Sequence, residues 1–144
     1  MALSLKEARR AAKEGEVPIG AVIVRDGVLI ARGRNRIEKS NSAVRHAEII
    51  AIESASRRMK NWRLSGCTLY VTVEPCPMCA AAACLARVDR IVFGAPDALF
   101  GACGSVYRIA QEGRLKHAPV VSGGVLEAEC RGLMKDFFKK LRDC

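Results

Sequence analysis

The sequence predicts an α/β fold: one mixed β-sheet covered by helices on both faces. Three patterns predict it. Asp26-Gly27, a hairpin turn signal, joins two apolar runs. Further β-rich runs then alternate with helical segments, which gives βαβ units and parallel strands. Both ends of the chain carry apolar residues at helical spacing. At 144 residues the chain is expected to form a single domain, 1–144, large enough to bury a core without disulfides.

Residues 3–14 set Leu3, Leu5, Ala8, Ala11 and Ala12 among Lys and Arg, a helix of good formers that Gly15 ends. Ile19 to Val24 and Val28 to Gly33 are the hairpin strands, and residues 34–45 a polar loop. A second helix opens between Ala43 and His46, with an apolar stripe of Ile49, Ile52, Ser56 and Met59. Thr68 to Val73 is β-branched and aromatic, a buried strand that Pro75 stops. Pro77 stands in the first turn of the next helix, where a missing N–H costs nothing, and Ala80 to Ala86 continue it. Arg90 to Phe93 is another strand, closed by Gly94; residues 105–112 suggest a short helix, and Val120-Val121 a last strand. The final helix spans about 125–142, its apolar series running Cys130, Leu133, Met134, Phe137, Phe138, Leu141. Glu127 and Glu129 at its start and lysines near its end match the helix dipole.

Half the residues are apolar and 27% are charged, a globular balance that excludes disorder over most of the chain. No run of 18 apolar residues appears, so no membrane span is expected. The N-terminus reads as a polar amphipathic helix and not as a secretory signal. Seven cysteines, an odd number with two in a C-x-x-C, suit reduced thiols in a cytoplasm. The formal net charge is +9, concentrated in the first half: +7 over residues 1–72 and +2 over 73–144. Arg32, Arg34, Arg36, Lys39 and Arg45, opposed only by Glu38, lead straight into His46. Such a stretch suits a polyanion, because phosphate neutralisation releases counterions; a solvated basic loop is the plainer reading.

Two motifs carry the chemistry: His46-Ala47-Glu48 and Pro75-Cys76-Pro77-Met78-Cys79. One imidazole and two thiolates make the three-ligand set of a catalytic zinc site, which keeps a fourth position for water. A C-x-x-C alone could be a redox pair or half of a structural zinc site. A structural site usually needs four ligands, and the only other histidine, His117, lacks the spacing of a second ligand pair. Cys84, five residues past Cys79 on the same helix, is expected to point elsewhere. Both motifs fall at helix N-termini, where free N–H groups and positive potential ease thiol ionisation. Glu48 taken alone would be an acid stabilised in a first helical turn. Beside a zinc ligand it can accept a proton from zinc's water, whose pKa falls toward ~7, and pass it to a ring nitrogen and a leaving amine.

The pattern H-x-E…P-C-x-x-C is the signature of zinc-dependent nucleobase deaminases. The chain resembles bacterial tRNA-specific adenosine deaminases of the TadA type, within the cytidine deaminase-like superfamily. The blocks that carry the resemblance are Glu16-Val17-Pro18-Ile19-Gly20-Ala21-Val22, Asn35, His46-Ala47-Glu48-Ile49, Asn61-Trp62-Arg63-Leu64, Leu69 to Ala80, Val92-Phe93-Gly94-Ala95, Asp97, Gly101 to Ser105 and Phe137-Phe138. The resemblance implies a three-layer α/β/α sandwich with a five-stranded mixed sheet. It implies one zinc ion per chain, held by His46, Cys76 and Cys79, with Glu48 shuttling protons while water attacks the purine C6. Asn35 matches the purine-contacting residue, the backbone N–H of Ala47 faces the base, and Asp97 matches a position touching the RNA backbone or ribose. The implied reaction converts adenosine to inosine at the wobble position of a tRNA anticodon, in a cytoplasmic homodimer that reads the anticodon arm.

Without the resemblance, Asn35 and Asp97 read as turn residues, and Trp62 as core. Phe137 and Phe138 fit core, dimer packing or RNA stacking. The chain departs from the family pattern at Ser42-Ala43-Val44-Arg45, Leu99, Phe100, Arg108 and Lys116. Two other functions share the zinc motif: a free-nucleobase or nucleoside deaminase, guanine deaminase-like, and a non-catalytic RNA-binding subunit keeping zinc for folding. The first would need no basic groove; intact Glu48 speaks against the second.

Overall fold

The computed structural model describes residues 1–144. Five strands form one sheet: β1 (Gly20–Arg25), β2 (Val28–Arg34), β3 (Cys67–Val73), β4 (Arg90–Ala95) and β5 (Val120–Ser122). The helices are α1 (Ala2–Lys13), the single turn α2 (Ile37–Ser40), α3 (Ala47–Met59), α4 (Pro77–Leu85) and α5 (Glu127–Arg142). Spatial order is β2-β1-β3-β4-β5. The β1–β2 and β1–β3 pairs are antiparallel, while β3–β4 and β4–β5 are parallel. This is the five-stranded mixed sheet that the resemblance implied. No helix is long and apolar enough to cross a membrane.

Register sets the core. Ala31, Ile23, Leu69, Ile91 and Val121 follow one another across all five strands, each paired with the next. Ala21, Val71 and Phe93 form a second row. Both rows face α3 and α4 and, with their alanines, form the main apolar cluster. The opposite face carries α1 and α5 over a much smaller cluster, Leu5, Ala95 and Cys130.

Close packing on the α3 side corrects the stripe expected for that helix. The face buried deepest is Ala47, Ala51 and Ala55, spaced four apart, and Ile52 and Met59 sit at its margin. A Cβ on Gly33 of β2 would overlap the Ala47 carbonyl, so strand and helix backbones nearly touch and only alanine fits between them. The helix therefore starts at Ala47, not in the 43–46 segment, and His46 becomes its N-cap residue.

Three further expectations give way to tertiary contacts. Gly94 lies inside β4 because Cys130 of α5 crosses where its side chain would be. Residues 105–112 form turns and no helix: the Val106 and Tyr107 amides are spent on the Gly101 carbonyl. Within 34–45 the chain makes the α2 turn, because buried Glu16 accepts hydrogen bonds from the Glu38 and Lys39 amides. The α5 stripe is real, yet only Cys130 is buried; Phe138 is 41% and Leu141 59% exposed.

Candidate active site

The two motifs meet because α3 and α4 start side by side. His46 caps α3 and Cys76 caps α4, both in extended backbone conformation, and neither side chain makes a capping hydrogen bond. Pro77 occupies the first position of α4. Gly33 brings β2 against α3, and β3 delivers Cys76 at its end, so the sheet fixes both helix starts. With no capping duty, the His46 and Cys76 side chains are free to turn toward Cys79 in the first turn of α4.

His46 Nδ1 lies 3.5 Å from Cys79 Sγ and 3.7 Å from Cys76 Sγ. All three donor atoms lie within 4.8 Å of one another. Tetrahedral zinc with ordinary Zn–N and Zn–S bonds separates a ring nitrogen from a sulfur by about 3.6 Å. The donor set and its spacing therefore fit zinc. Cys84 is buried in the main cluster, away from this group.

The electrostatics match that assignment. In the metal-free chain the Cys76 thiol is lowered to about 4, because it accepts hydrogen bonds from Cys79 and His46 that outweigh its burial. Cys79 is raised, as the donor of that bond and as a buried group. His46 is raised chiefly by its hydrogen bond to Cys76, with Glu48 adding to the effect. Glu48, one residue inside α3, is 4% exposed. Burial pushes its carboxyl up to about 7, and the negative Cys76 adds to that, against its own backbone N–H, His46 and Cys79. No lysine or arginine forms an ion pair with it. A carboxyl balanced near neutrality is suited to taking and giving protons.

Of the other expected site residues, Ala47 adjoins His46 in the chain, whereas Asn35 and Asp97 are held by other groups. Ala47 is fully buried as the first residue of α3, so its N–H has no carbonyl one turn earlier in the helix. Asn35 is buried just past β2; its amide nitrogen donates to Glu16 Oε2 at 3.3 Å and its backbone N–H to the Ile19 carbonyl at 3.0 Å. A cavity of about 290 Å³ joins Asn35 and Glu16 to Phe137, Phe138 and Leu141 of α5. Asp97 shapes a turn: its Oδ1 accepts from the Leu99 amide at 2.9 Å and the Phe100 amide at 3.2 Å. Trp62 is exposed, not core, and Arg63 lies over its ring at 4.1 Å.

Sequence reasoning assigned no role to three other buried carboxylates. Glu7 pairs with Arg10, Arg32 and Arg34. Glu16 orders Asn35 and α2. Glu74 accepts from the Asp97, Cys103 and Ser105 amides, each at 3.0 Å, and from the Ser105 hydroxyl. Burial alone would raise its carboxyl, but those bonds together hold it below the usual carboxylate range. Glu16 and Glu74 stand in the blocks that carry the family resemblance, which was their only signal.

Three zinc-type donors with a protonatable carboxyl alongside mark a metal-dependent hydrolase, since a structural site would close the fourth position with another ligand. Comparison with known proteins specifies the class. Residues 1–95 match the family model described as the cytidine and deoxycytidylate deaminase zinc-binding region, and the chain belongs to that family. It is 48% identical over 139 residues to the tRNA-specific adenosine deaminase of Bacillus subtilis (strain 168), covering 96% of this chain and 86% of that protein. A solved structure from a study of A-to-I editing by tRNA:A34 deaminases superposes with a TM-score of 0.89 and 46% identity, over 92% of this chain and 96% of that one. The guanine deaminase of Nitrosomonas europaea shares the fold, with a TM-score of 0.82 at 24% identity over 94% of this chain and 81% of that one.

Proposed function

We propose that this chain hydrolytically deaminates adenosine to inosine at the wobble position of a tRNA anticodon, releasing ammonia. The observation that carries the reading is the juxtaposition of His46, Cys76 and Cys79 with buried Glu48, in a chain nearly half identical to a tRNA-specific adenosine deaminase. His46, Cys76 and Cys79 would hold one zinc ion. When bound, that ion supplies a nucleophile at neutral pH by acidifying water.

Glu48 does the proton work. Its carboxylate takes a proton from the attacking water and delivers it to a ring nitrogen of the purine, so that C6 accepts oxygen. It then takes the remaining proton from the oxygen now on C6 and passes it to the exocyclic nitrogen, so that the C6–N bond breaks and ammonia leaves. Asn35, locked by Glu16 through its amide nitrogen, keeps its carbonyl oxygen for the base. The free N–H of Ala47 would meet the base, and Asp97 holds the loop that would meet the ribose or backbone. In the basic run from Arg32 to Arg45, Arg32, Arg34, Lys39 and Arg45 pair with Glu7, Glu14 and Glu53, so support for an RNA substrate comes from the similarity to tRNA-specific adenosine deaminases and not from that run. Val44, two residues before His46, and Leu99 and Phe100 after Asp97 are exposed apolar side chains that suit cover by RNA or by a second copy in a homodimer. The enzyme would act in the cytoplasm, where its tRNA is.

The test is turnover of an RNA anticodon hairpin with adenosine at the wobble position, run beside free adenosine, guanine and cytidine, with Glu48→Ala as control. Inosine in the RNA alone is expected. Turnover of a free base and not the RNA would move the enzyme to nucleobase metabolism. Stoichiometric zinc without turnover of any of these would leave an RNA-binding subunit.

A further inference from the structure

We propose that Glu74 is a positioning residue for the substrate: its carboxylate clamps the Asp97–Ser105 loop to the Cys76–Cys79 turn and so builds the wall that grips the RNA. The proposal rests on the functional reading above. Glu74 directly follows β3, two residues before Cys76, and it is 3% exposed. Oε1 accepts from the Cys103 and Ser105 amides; Oε2 accepts from the Asp97 amide and the Ser105 hydroxyl. No cation pairs with it. The backbone is stitched on either side: the Glu74 amide donates to the Ala95 carbonyl and the Ala102 amide to the Pro75 carbonyl, each at 2.8 Å.

The chemistry requires a carboxylate there. Four donors converge on two oxygens, and only an ionised carboxylate accepts at both with nothing to donate. A glutamine would turn an NH₂ group toward at least one backbone N–H. The loop closes so tightly on the carboxylate that a Cβ at Gly101 would overlap Oε2, which explains the glycine. What the clamp presents is the turn of Asp97, with Leu99 75% and Phe100 61% exposed at its tip. Nothing in the core holds those two side chains, so the loop's placement depends on its backbone anchors. His46, Cys76, Cys79 and Glu48 are anchored instead by α3, α4 and the sheet. Loss of the clamp should therefore weaken RNA binding and spare the metal and the proton transfers.

The experiment is Glu74→Gln in the full chain, read by zinc content, by amide hydrogen exchange across 95–107, and by steady-state kinetics on the anticodon hairpin. Expected are wild-type zinc content, at least about tenfold faster exchange confined to that loop, a KM raised by about tenfold and a kcat within about threefold of wild type. Unchanged exchange, loss of zinc, or a fall in kcat at constant KM would overturn the proposal. Should Glu74→Gln fail to fold, Ser105→Ala removes one donor only; it is expected to shift exchange and KM by about two- to threefold, and no shift in either would refute the clamp. A wild-type chain inert on the hairpin would sink the functional reading instead, and the exchange comparison would still decide whether the clamp exists.

Discussion

Glu48 and Glu74 lie within two residues of the candidate metal ligands, and both are almost completely buried, yet the protein treats them in opposite ways. Around Glu74 the chain supplies three backbone amides and a hydroxyl, and the carboxylate is held ionised. Around Glu48 it supplies two thiols and an imidazole, and burial lifts the carboxyl to about 7. Burial without matching donors leaves a proton mobile; burial with a full set of donors fixes a loop. The difference lies in neighbours, not in residue type, and it is the basis for proposing proton transfer at Glu48 and loop positioning at Glu74.

The largest effects should come from breaking the Glu48 side. Glu48→Gln is expected to lower kcat by about three to four orders of magnitude while zinc stays at the wild-type level, measured by metal analysis and single-turnover assays. Wild-type activity in that variant would remove Glu48 from the mechanism. Cys79→Ala should lose both zinc and activity, because two ligands cannot hold the ion.

Acid–base behaviour sharpens the contrast. After chelation of the metal, wild type and Glu48→Gln are expected to diverge in stability with rising pH. The folded state binds the Glu48 proton more tightly than the unfolded chain does. Stability contributed by that proton is therefore full below the ordinary carboxylate pKa and is lost as pH rises toward about 7. The glutamine variant has no such loss, so its denaturation midpoint relative to wild type should rise between about pH 4.5 and 7.5. A constant gap would contradict the raised carboxyl.

Thiol chemistry gives a smaller but cleaner signal. In chelated protein at about pH 6, Cys76, lowered to about 4, should be alkylated readily, and zinc should protect it. Cys103, pushed by burial up to about 12, should stay unreacted in both forms. Peptide mapping after iodoacetamide treatment reads both. The smallest effect belongs to the Glu74 side: Ser105→Ala removes one of four donors and should cost about 0.5–1.5 kcal/mol of stability by denaturant titration.

Much of this was legible in residue order. The His46-Ala47-Glu48 and Pro75–Cys79 motifs predict one cluster of zinc-type donors, and the structure brings His46, Cys76 and Cys79 together, because metal chemistry depends on residue type and short spacing. The hairpin at Asp26-Gly27 and the start of α4 at Pro77 are local turn chemistry, and the structure keeps them. The inner face of α3 was not legible. Hydrophobic periodicity points to the large residues, and the closeness of β2 at Gly33 selects alanines. Strand β4 likewise runs through Gly94, where local propensity suggests a stop, because α5 packs there.

The sequence by itself determined the reaction chemistry: one imidazole, two thiolates and a carboxyl, each at a helix start, in an alternating α/β order that yields a mixed sheet. Only the tertiary structure decided which buried carboxylates are met by a full set of donors and which is not. Glu7, Glu16, Glu48 and Glu74 are identical in composition, and their roles depend on donors contributed from as far as 31 residues away, as Ser105 is from Glu74. Spacing along the chain carries no record of such contacts, because desolvation and hydrogen bonding are set by what the fold brings around a group.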